Sequence, residues 1–292
     1  MILEKIKVIR NAVIIIISKS PKKLLKKVSS FLKPSTLIAR LRDRPRLNIT
    51  YEGTFDSFEE VRVKYGSRSD YLTNIGHKGA IADTHNLIRQ FNNSFILPSW
   101  PAHRINILAS YISGLGCGSI KILDIGGGFA EAYLHIKSSN SLKLDYRILE
   151  LEHTVDACKD IFEDFYDLKF YSDIKELEFD PDIVYFGSSL QYFENWKEFL
   201  HSLQRLNAAT FIITDTPMGN IDTFVTAQIN LPGNGIPRYI FSIDEVKSLF
   251  FSLGYILVHD SSIYDPSHNF ENFPEKYWQI TNRNLIFTRE NN

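Results

Sequence analysis

The stretch KILDIGGGFAEAYLHI, residues 121–136, joins an apolar run to three consecutive glycines and then to a segment of helical character. An acid, Asp124, stands just before the glycines. Glycine lets the backbone take positive φ and lets a ligand approach closely, and the free amide groups of a following helix point at that ligand. The stretch therefore predicts a strand, a tight turn and a helix that together form a ligand-binding loop.

Short apolar runs recur from residue 120 onward, most with helix-like segments between them. Strands that are apolar on both faces and alternate with helices are typical of a mostly parallel sheet covered on both sides. The predicted fold class is therefore α/β, with a mostly parallel sheet of seven strands flanked by helices. The seven runs are IKILDIG, DYRILE, LKFYS, DIVYFGS, TFIITDT, YILVHDS and NLIFTR.

Two kinds of cofactor use a glycine turn of this type. A dinucleotide needs G-x-G-x-x-G, but Glu131 stands where the third glycine belongs, and its carboxylate would repel a pyrophosphate. The alternative pattern D-x-G-x-G is met by Asp124, Gly126 and Gly128, with Gly127 between the two glycines. This pattern suits a ligand that carries a cationic sulfonium and an amino group without phosphate, and S-adenosylmethionine has both.

A nucleoside cofactor also needs an acid for its ribose diol, about 20 residues further on at the end of the next strand. Glu150 lies there, and Glu152 is a close alternative. The ends of the following two strands supply the remaining expected contacts, since open α/β sheets bind ligands at the carboxyl ends of their strands. These are Ser172 and Asp173 for the adenine ring, and Ser188, Ser189, Leu190, Gln191 and Tyr192 for the cofactor rim.

The order of LDIGGG, ILE, SD and FGSSLQYFENW resembles class I S-adenosylmethionine-dependent methyltransferases over roughly residues 115–290. Together with YEGTFDSFEEV, TDTPMGN and IPRYIFS, the chain also resembles a methyltransferase family of bacterial surface-polysaccharide loci, over about residues 48–290. The resemblance implies a Rossmann-like sheet, S-adenosylmethionine as cofactor and methyl transfer. One position departs from that family, which often has an arginine or a lysine-like polar residue where this chain has Asp215.

Methyl transfer requires the acceptor and the methyl carbon to be aligned within about 3 to 3.5 Å, and a hydroxyl acceptor must also lose a proton. Asp215, at the end of the fifth run, is the first candidate for the base that removes this proton. The alternative is that Asp215 serves only as a turn residue. His85, or His77 on the same predicted helix, is a second candidate for the base. The alternative is that these histidines lie at the surface or in a linker. Tyr192 is expected to orient an acceptor hydroxyl or to contact the amino acid end of the cofactor.

The segment QINLPGNGIPRYIFS, residues 228–242, is rich in glycine and proline and is predicted to be a loop that shapes the acceptor pocket. Arg238 at its close is a candidate contact for a phosphate or carboxylate of the acceptor. The alternative is a salt bridge at the surface.

Residues 1–50 hold 13 lysines and arginines against 2 acids, in a chain whose net charge is −1. Within them, KSPKKLLKKVSSFLKP predicts a basic amphipathic helix that either contacts an anionic membrane through residues 1–33 or packs on the rest of the protein. The apolar run AVIIII is far short of the roughly 20 residues that span a bilayer. The predicted domains are 1–47, a basic arm and linker; 48–115, a helical N-terminal lobe; and 116–292, the cofactor-binding domain.

The remaining composition narrows the function further. Two cysteines form neither a disulfide framework nor a metal motif, so we expect a reducing, cytoplasmic setting, peripheral to the inner membrane through the arm, and no bound metal. Nucleic acid is not expected as a partner, since no basic groove lined with aromatics is visible on the body. The family resemblance implies O-methylation of a sugar, a nucleotide sugar or a lipid-linked glycan as the activity. The alternatives are an NAD-dependent oxidoreductase or epimerase, and a non-catalytic binding module.

Overall fold

The computed structural model of the chain describes residues 50–66, 76–93, 103–139, 141–229, 235–263 and 270–290. These residues belong to one compact unit, residues 49–292. The basic arm, its amphipathic helix and its expected membrane contact fall outside the described residues.

The apolar runs of the sequence form strands, as predicted, and they lie in one ten-stranded sheet. Seven of these strands follow the order β4-β3-β2-β5-β6-β10-β9, in which β10 alone runs antiparallel to its neighbours. The strands in chain order are β1 (Tyr51–Phe55), β2 (Ser119–Ile125), β3 (Lys143–Leu149), β4 (Leu168–Tyr171), β5 (Ile183–Gly187), β6 (Thr210–Gly219), β7 (Phe224–Gln228), β8 (Ile236–Ser242), β9 (Tyr255–Ile263) and β10 (Thr281–Arg289).

Helices cover both faces of this sheet because its central strands are apolar on both sides. In β2, Leu123 and Ile125 belong to one buried cluster, whereas Ile120 and Ile122 belong to the cluster on the other face. The described α-helices are α1 (Phe58–Tyr65), α2 (Gly76–Asn93), α3 (His103–Leu115), α4 (Glu131–Ser139), α5 (Glu152–Ile161), α6 (Trp196–Leu203) and α7 (Ile243–Ser252).

Three strands that the sequence did not predict extend the sheet beyond β6. β7 pairs antiparallel with both β1 and β8, and β8 pairs parallel with the last residues of β6. The prediction that residues 228–242 form a loop was wrong for Ile236–Ser242, which is β8. Residues 51–55 are likewise a strand rather than part of a helical segment. Backbone pairing with distant partners outweighs the local turn signals here.

No described helix is both long and apolar enough to cross a bilayer.

Candidate functional site

A cavity of about 790 Å³ opens over the glycine turn at the carboxyl ends of β2 and β5. Its size falls within the roughly 300–1,000 Å³ that is usual for small-molecule sites. One wall consists of the turn Gly126–Gly128 with the start of α4, and the end of β5 adds Gly187 and Ser188. The facing wall belongs to α2, which contributes Ala80, Asp83, Thr84, Asn86, Leu87 and Gln90.

Acidic side chains set the charge of this cavity. Asp83, Asp124 and Glu131 line it, and no lysine or arginine is among the described residues that do so. A pyrophosphate would meet three carboxylates and no cation, whereas a sulfonium or ammonium group would be attracted. The cavity is therefore suited to a cationic ligand rather than to a dinucleotide.

The glycine turn needs glycine for two different reasons. Gly126 and Gly128 have φ of 71° and 54°, a region in which side chains are strained. Gly127 instead lies against Asp124, where an added Cβ would stand 2.5 Å from Oδ2. The amide of Gly126 donates to the carbonyl of Leu149 at 2.8 Å, so the turn is tied to the end of β3.

The carboxylate of Asp124 is buried beneath the turn, with only 1% of the residue exposed. The hydroxyl of Tyr146 donates to its Oδ2 at 2.7 Å. Burial raises the pKa of Tyr146 well above its ordinary value, and the charge of Asp124 adds to the effect. Tyr146 therefore stays protonated and fixes the position of the acid that the sequence pattern singled out.

The segment after β5 interlocks with the glycine turn. Ser189 donates to the carbonyl of Ile125, and an added Cβ on Gly126 would stand 2.7 Å from the Cβ of Ser189. Gln191 is fully buried and donates through Nε2 to the Ser188 carbonyl at 2.7 Å and to its hydroxyl at 3.2 Å. Ser188, with φ of 61°, is thereby held at the cavity wall. Gln191 acts behind this wall rather than in it.

Three of the predicted nucleoside contacts lie outside the residues that line the cavity. Glu150 follows β3, one residue beyond the contact between Leu149 and Gly126, and its carboxylate accepts from the amide of Leu151. Ser172 and Asp173 follow β4 and are exposed, and Asp173 caps a short 3-10 turn. All three stand at the carboxyl edge of the sheet, and their roles stay predictions.

Asp215 is buried within β6 rather than in an exposed turn, and its φ is 54°. Its carboxylate accepts from Nδ2 of Asn282 at 2.6 Å, and its amide donates to Oδ1 of Asn284 at 3.0 Å. Strained backbone held by buried partners is concentrated at functional sites. Asp215 lies one residue beyond Thr214, which pairs with Gly187 at the cavity edge.

None of the three candidate catalytic residues, Asp215, His85 and Tyr192, is among the residues that line the cavity. His85 is exposed, whereas its neighbour Thr84 is buried against the cavity. Successive helical residues are about 100° apart, which turns His85 away from the face formed by Ala80, Thr84 and Leu87. Tyr192 directs its hydroxyl to Oε1 of Gln228, at 2.7 Å.

The sequence reasoning missed the cavity-facing side of α2. Ala80, Thr84 and Leu87 follow the helical spacing that marks one buried face. That periodicity could have selected Thr84 and Asp83 instead of His85.

No protein-family model and no curated protein matches the sequence. Solved structures do match. Magnesium protoporphyrin IX methyltransferase from Synechocystis PCC 6803, with bound SAM, is 14% identical; the match covers 82% of this chain and 100% of that one, with a TM-score of 0.50. The N1-methyltransferase of 1,6-didemethyltoxoflavin from Burkholderia thailandensis is 11% identical, with coverage of 76% and 93% and a TM-score of 0.47. The [4+2]-cyclase SpnF is 10% identical, with coverage of 72% and 93% and a TM-score of 0.48.

This chain has the Rossmann-like methyltransferase fold. The predicted fold class is confirmed, and identities this low establish the fold alone. In the methyltransferase fold seen here, the glycine turn, Glu150 and Ser188 all follow strands at one edge of the sheet, where α/β proteins bind ligands. The residues at that edge, and not the fold, determine which reaction such a protein carries out.

Proposed function

We propose that this protein is an S-adenosylmethionine-dependent methyltransferase. The observation that carries the proposal is the acidic cavity over the D-x-G-x-G turn, which combines close backbone approach with three carboxylates. The Synechocystis enzyme that shares this fold was crystallised with S-adenosylmethionine, and this supports the same cofactor here.

In the proposed complex, the glycine turn lies along the methionine portion of the cofactor and the buried Asp124 supports the turn from beneath. Glu150 accepts hydrogen bonds from the ribose hydroxyls, which a carboxylate can do from two adjacent groups. Ser172 and Asp173 contact the adenine ring. Ser188, held by Gln191, completes the rim.

Asp215 is proposed as the base that removes the proton of the acceptor hydroxyl. Asn282 donates to Oδ1 of Asp215 and fixes the orientation of the carboxylate. A base with a fixed orientation is favourable because proton transfer requires hydrogen-bond reach to the reacting group. His85 is not carried into this mechanism, since it is exposed and its helical position turns it away from the cavity face of α2.

The proposed acceptor is a hydroxyl of a sugar, a nucleotide sugar or a lipid-linked glycan, as the family resemblance implies. We further propose that residues 1–33 contact an anionic membrane, which would bring the enzyme to a lipid-linked acceptor. Sedimentation with anionic vesicles tests this point, and equal recovery of the full chain and a chain lacking residues 1–33 would refute it.

Calorimetry with S-adenosylhomocysteine and with NAD separates the proposal from its main alternative. We expect saturable binding of S-adenosylhomocysteine and no binding of NAD, because the cavity lining has carboxylates where a pyrophosphate needs cations. Transfer of labelled methyl groups to a panel of nucleotide sugars and lipid-linked saccharides then identifies the acceptor. Binding of NAD alone would indicate an oxidoreductase, and binding of neither would indicate a non-catalytic module.

A further inference from the structure

Arg238 is a buried cation in the part of the sheet that extends beyond β6. It lies on β8 and only 2% of the residue is exposed, so the surface salt bridge considered from the sequence is wrong. β8 pairs in parallel with β6 at Phe241 and Met218. The turn Leu190–Tyr192 contacts both β8 and β6, and through it β8 is linked to the strand that carries Asp215.

The contacts of this guanidinium are neutral. Its Nη1 donates to Oε1 of Gln228 at 3.1 Å and to the hydroxyl of Tyr192 at 3.3 Å. The guanidinium carbon lies 5.0 Å from the ring centroid of Tyr51 and 5.1 Å from that of Tyr192. No carboxylate among the described residues pairs with it, and Nε and Nη2 are buried without a hydrogen-bond partner. Three other described arginines do have carboxylate partners, in the pairs Arg62–Glu194, Arg147–Asp145 and Arg283–Asp260.

A buried charge without a counterion is strongly unfavourable, because it gives up its hydration and gains no ionic partner. Two aromatic rings and two neutral oxygens offset only part of that penalty. The two unpaired donors, Nε and Nη2, form one edge of the planar guanidinium. This edge matches two oxygens of a carboxylate or a phosphate, which it can bind with two parallel hydrogen bonds.

We propose that the Nε–Nη2 edge of Arg238 binds a carboxylate or phosphate group of the methyl acceptor. This inference rests on the proposed methyl transfer and names the acceptor as an anion. Tyr192 connects the anion site to the cavity, because it lies in the same short turn as Gln191, which holds Ser188 at the cavity wall. It is also the partly exposed member of the three side chains around the guanidinium, so ligand access is on its side.

The test compares the Arg238→Met and Arg238→Lys variants with an Arg147→Met control. Arg147 also lies near two aromatic rings, at 3.8 Å from Phe179 and 5.9 Å from Tyr171, but it has a carboxylate partner. The probes are glucose 1-phosphate, glucuronate and uncharged glucose at constant ionic strength. Thermal unfolding and calorimetry report anion binding, and calorimetry with S-adenosylhomocysteine reports the cofactor site separately.

We expect glucose 1-phosphate or glucuronate, but not glucose, to stabilise the wild type and the Arg147→Met variant. Binding of glucose 1-phosphate alone would indicate that the site takes a phosphate, and binding of glucuronate alone would indicate that it takes a carboxylate. Arg238→Met should lose affinity for the anion about ten-fold or more while keeping that for S-adenosylhomocysteine. The anion affinity of Arg238→Lys should lie between those of the wild type and Arg238→Met, because lysine keeps the positive charge but lacks the paired donors of the guanidinium.

The melting temperature of the ligand-free variants distinguishes an anion-binding role from a purely structural one, because loss of a structural arginine would lower it. Removal of a buried, uncompensated cation should leave the melting temperature of Arg238→Met equal to or above that of the wild type. A large decrease, or anion binding that Arg238→Met leaves unchanged, would overturn the anion site. If anions bind through Arg238 but S-adenosylhomocysteine does not bind, the anion site stands and the proposed methyl transfer is wrong.

Discussion

Replacing Gly127 with alanine tests how the buried acid shapes the cofactor turn. The added Cβ would stand 2.5 Å from Oδ2 of Asp124 and 2.6 Å from its Cγ. Favourable contacts between such atoms lie at about 3.5 to 4.0 Å, so the two groups must separate by roughly 1 Å. Asp124 has little room to move, because it is 1% exposed and the Tyr146 hydroxyl lies 2.7 Å from the same oxygen.

The expected cost has two parts. Overpacking of a buried site costs about 1 to 3 kcal/mol, and loss of a hydrogen bond to a charged group costs about 1.5 to 3 kcal/mol. We therefore expect Gly127→Ala to lower the free energy of unfolding by about 2.5 to 6 kcal/mol. At about 2 to 4 °C per kcal/mol for a domain of this size, the melting temperature should fall by roughly 5 to 24 °C. Displacement of the turn should also weaken S-adenosylhomocysteine binding at least about ten-fold.

Two other glycines provide controls. An alanine at Gly118 would have no heavy atom within 4 Å, so the variant should stay within about 0.5 kcal/mol of the wild type. An alanine at Gly128 would also have open space around it, but φ is 54° there. It should cost only the backbone strain of about 1 to 2 kcal/mol. Thermal unfolding and calorimetry with S-adenosylhomocysteine on the three variants supply the comparison.

A double substitution isolates the cause. If the Asp124 carboxylate is what Gly127→Ala collides with, the same change should cost less than half as much in an Asp124→Ala background. Costs that add within about 0.5 kcal/mol would show that the two residues are not coupled. Wild-type stability and cofactor affinity in Gly127→Ala would refute the steric argument outright.

Three further predictions follow from the geometry. Asp215→Asn should keep S-adenosylhomocysteine affinity and lower the rate of methyl transfer at least about 100-fold, and a labelled-methyl assay that finds full activity removes Asp215 as the base. Burial holds the pKa of His135 below its ordinary value, so the unfolded chain takes up the proton first and stability should fall as the pH drops below about 6.5. Urea unfolding at pH 7.5 and 5.5 should show a smaller decrease for His135→Leu, and an equal decrease would contradict this assignment. Burial raises the pKa of Cys158 to about 12, so its thiol should not react in the native protein at pH 8. We expect iodoacetamide to label Cys117 in the native protein and Cys158 only after unfolding. Two labels on the native protein, counted by mass spectrometry, would contradict this prediction.

Local sequence determined the central sheet and the turn at its edge. The apolar runs became strands β2 to β6, β9 and β10. The central strands β2, β5 and β6 are buried on both faces, and such strands are nearly uniformly apolar and stand out from the helices between them. The glycines after Asp124 predicted the turn because the conformation of a turn is also set locally. Positive φ at Gly126 and Gly128 is a property of the backbone at single positions.

Residue type alone did not select the cavity-facing residues of α2. His85 was favoured for its chemistry, but Thr84 and Leu87 are the ones that face the glycine turn. The side of a helix that is buried depends on what packs against it, and the helical spacing in the sequence carries that information only once a partner surface is known.

Tertiary structure alone decided the status of Arg238. Its segment reads as a glycine- and proline-rich loop, yet β8 forms there because β7, itself paired with β1 from the start of the described chain, supplies the backbone partners. Burial of the guanidinium then follows from the residues that surround it, Tyr51, Tyr192 and Gln228. Strand pairing and burial are set by contacts between residues far apart in sequence, whereas turns and apolar periodicity are set by neighbours along the chain.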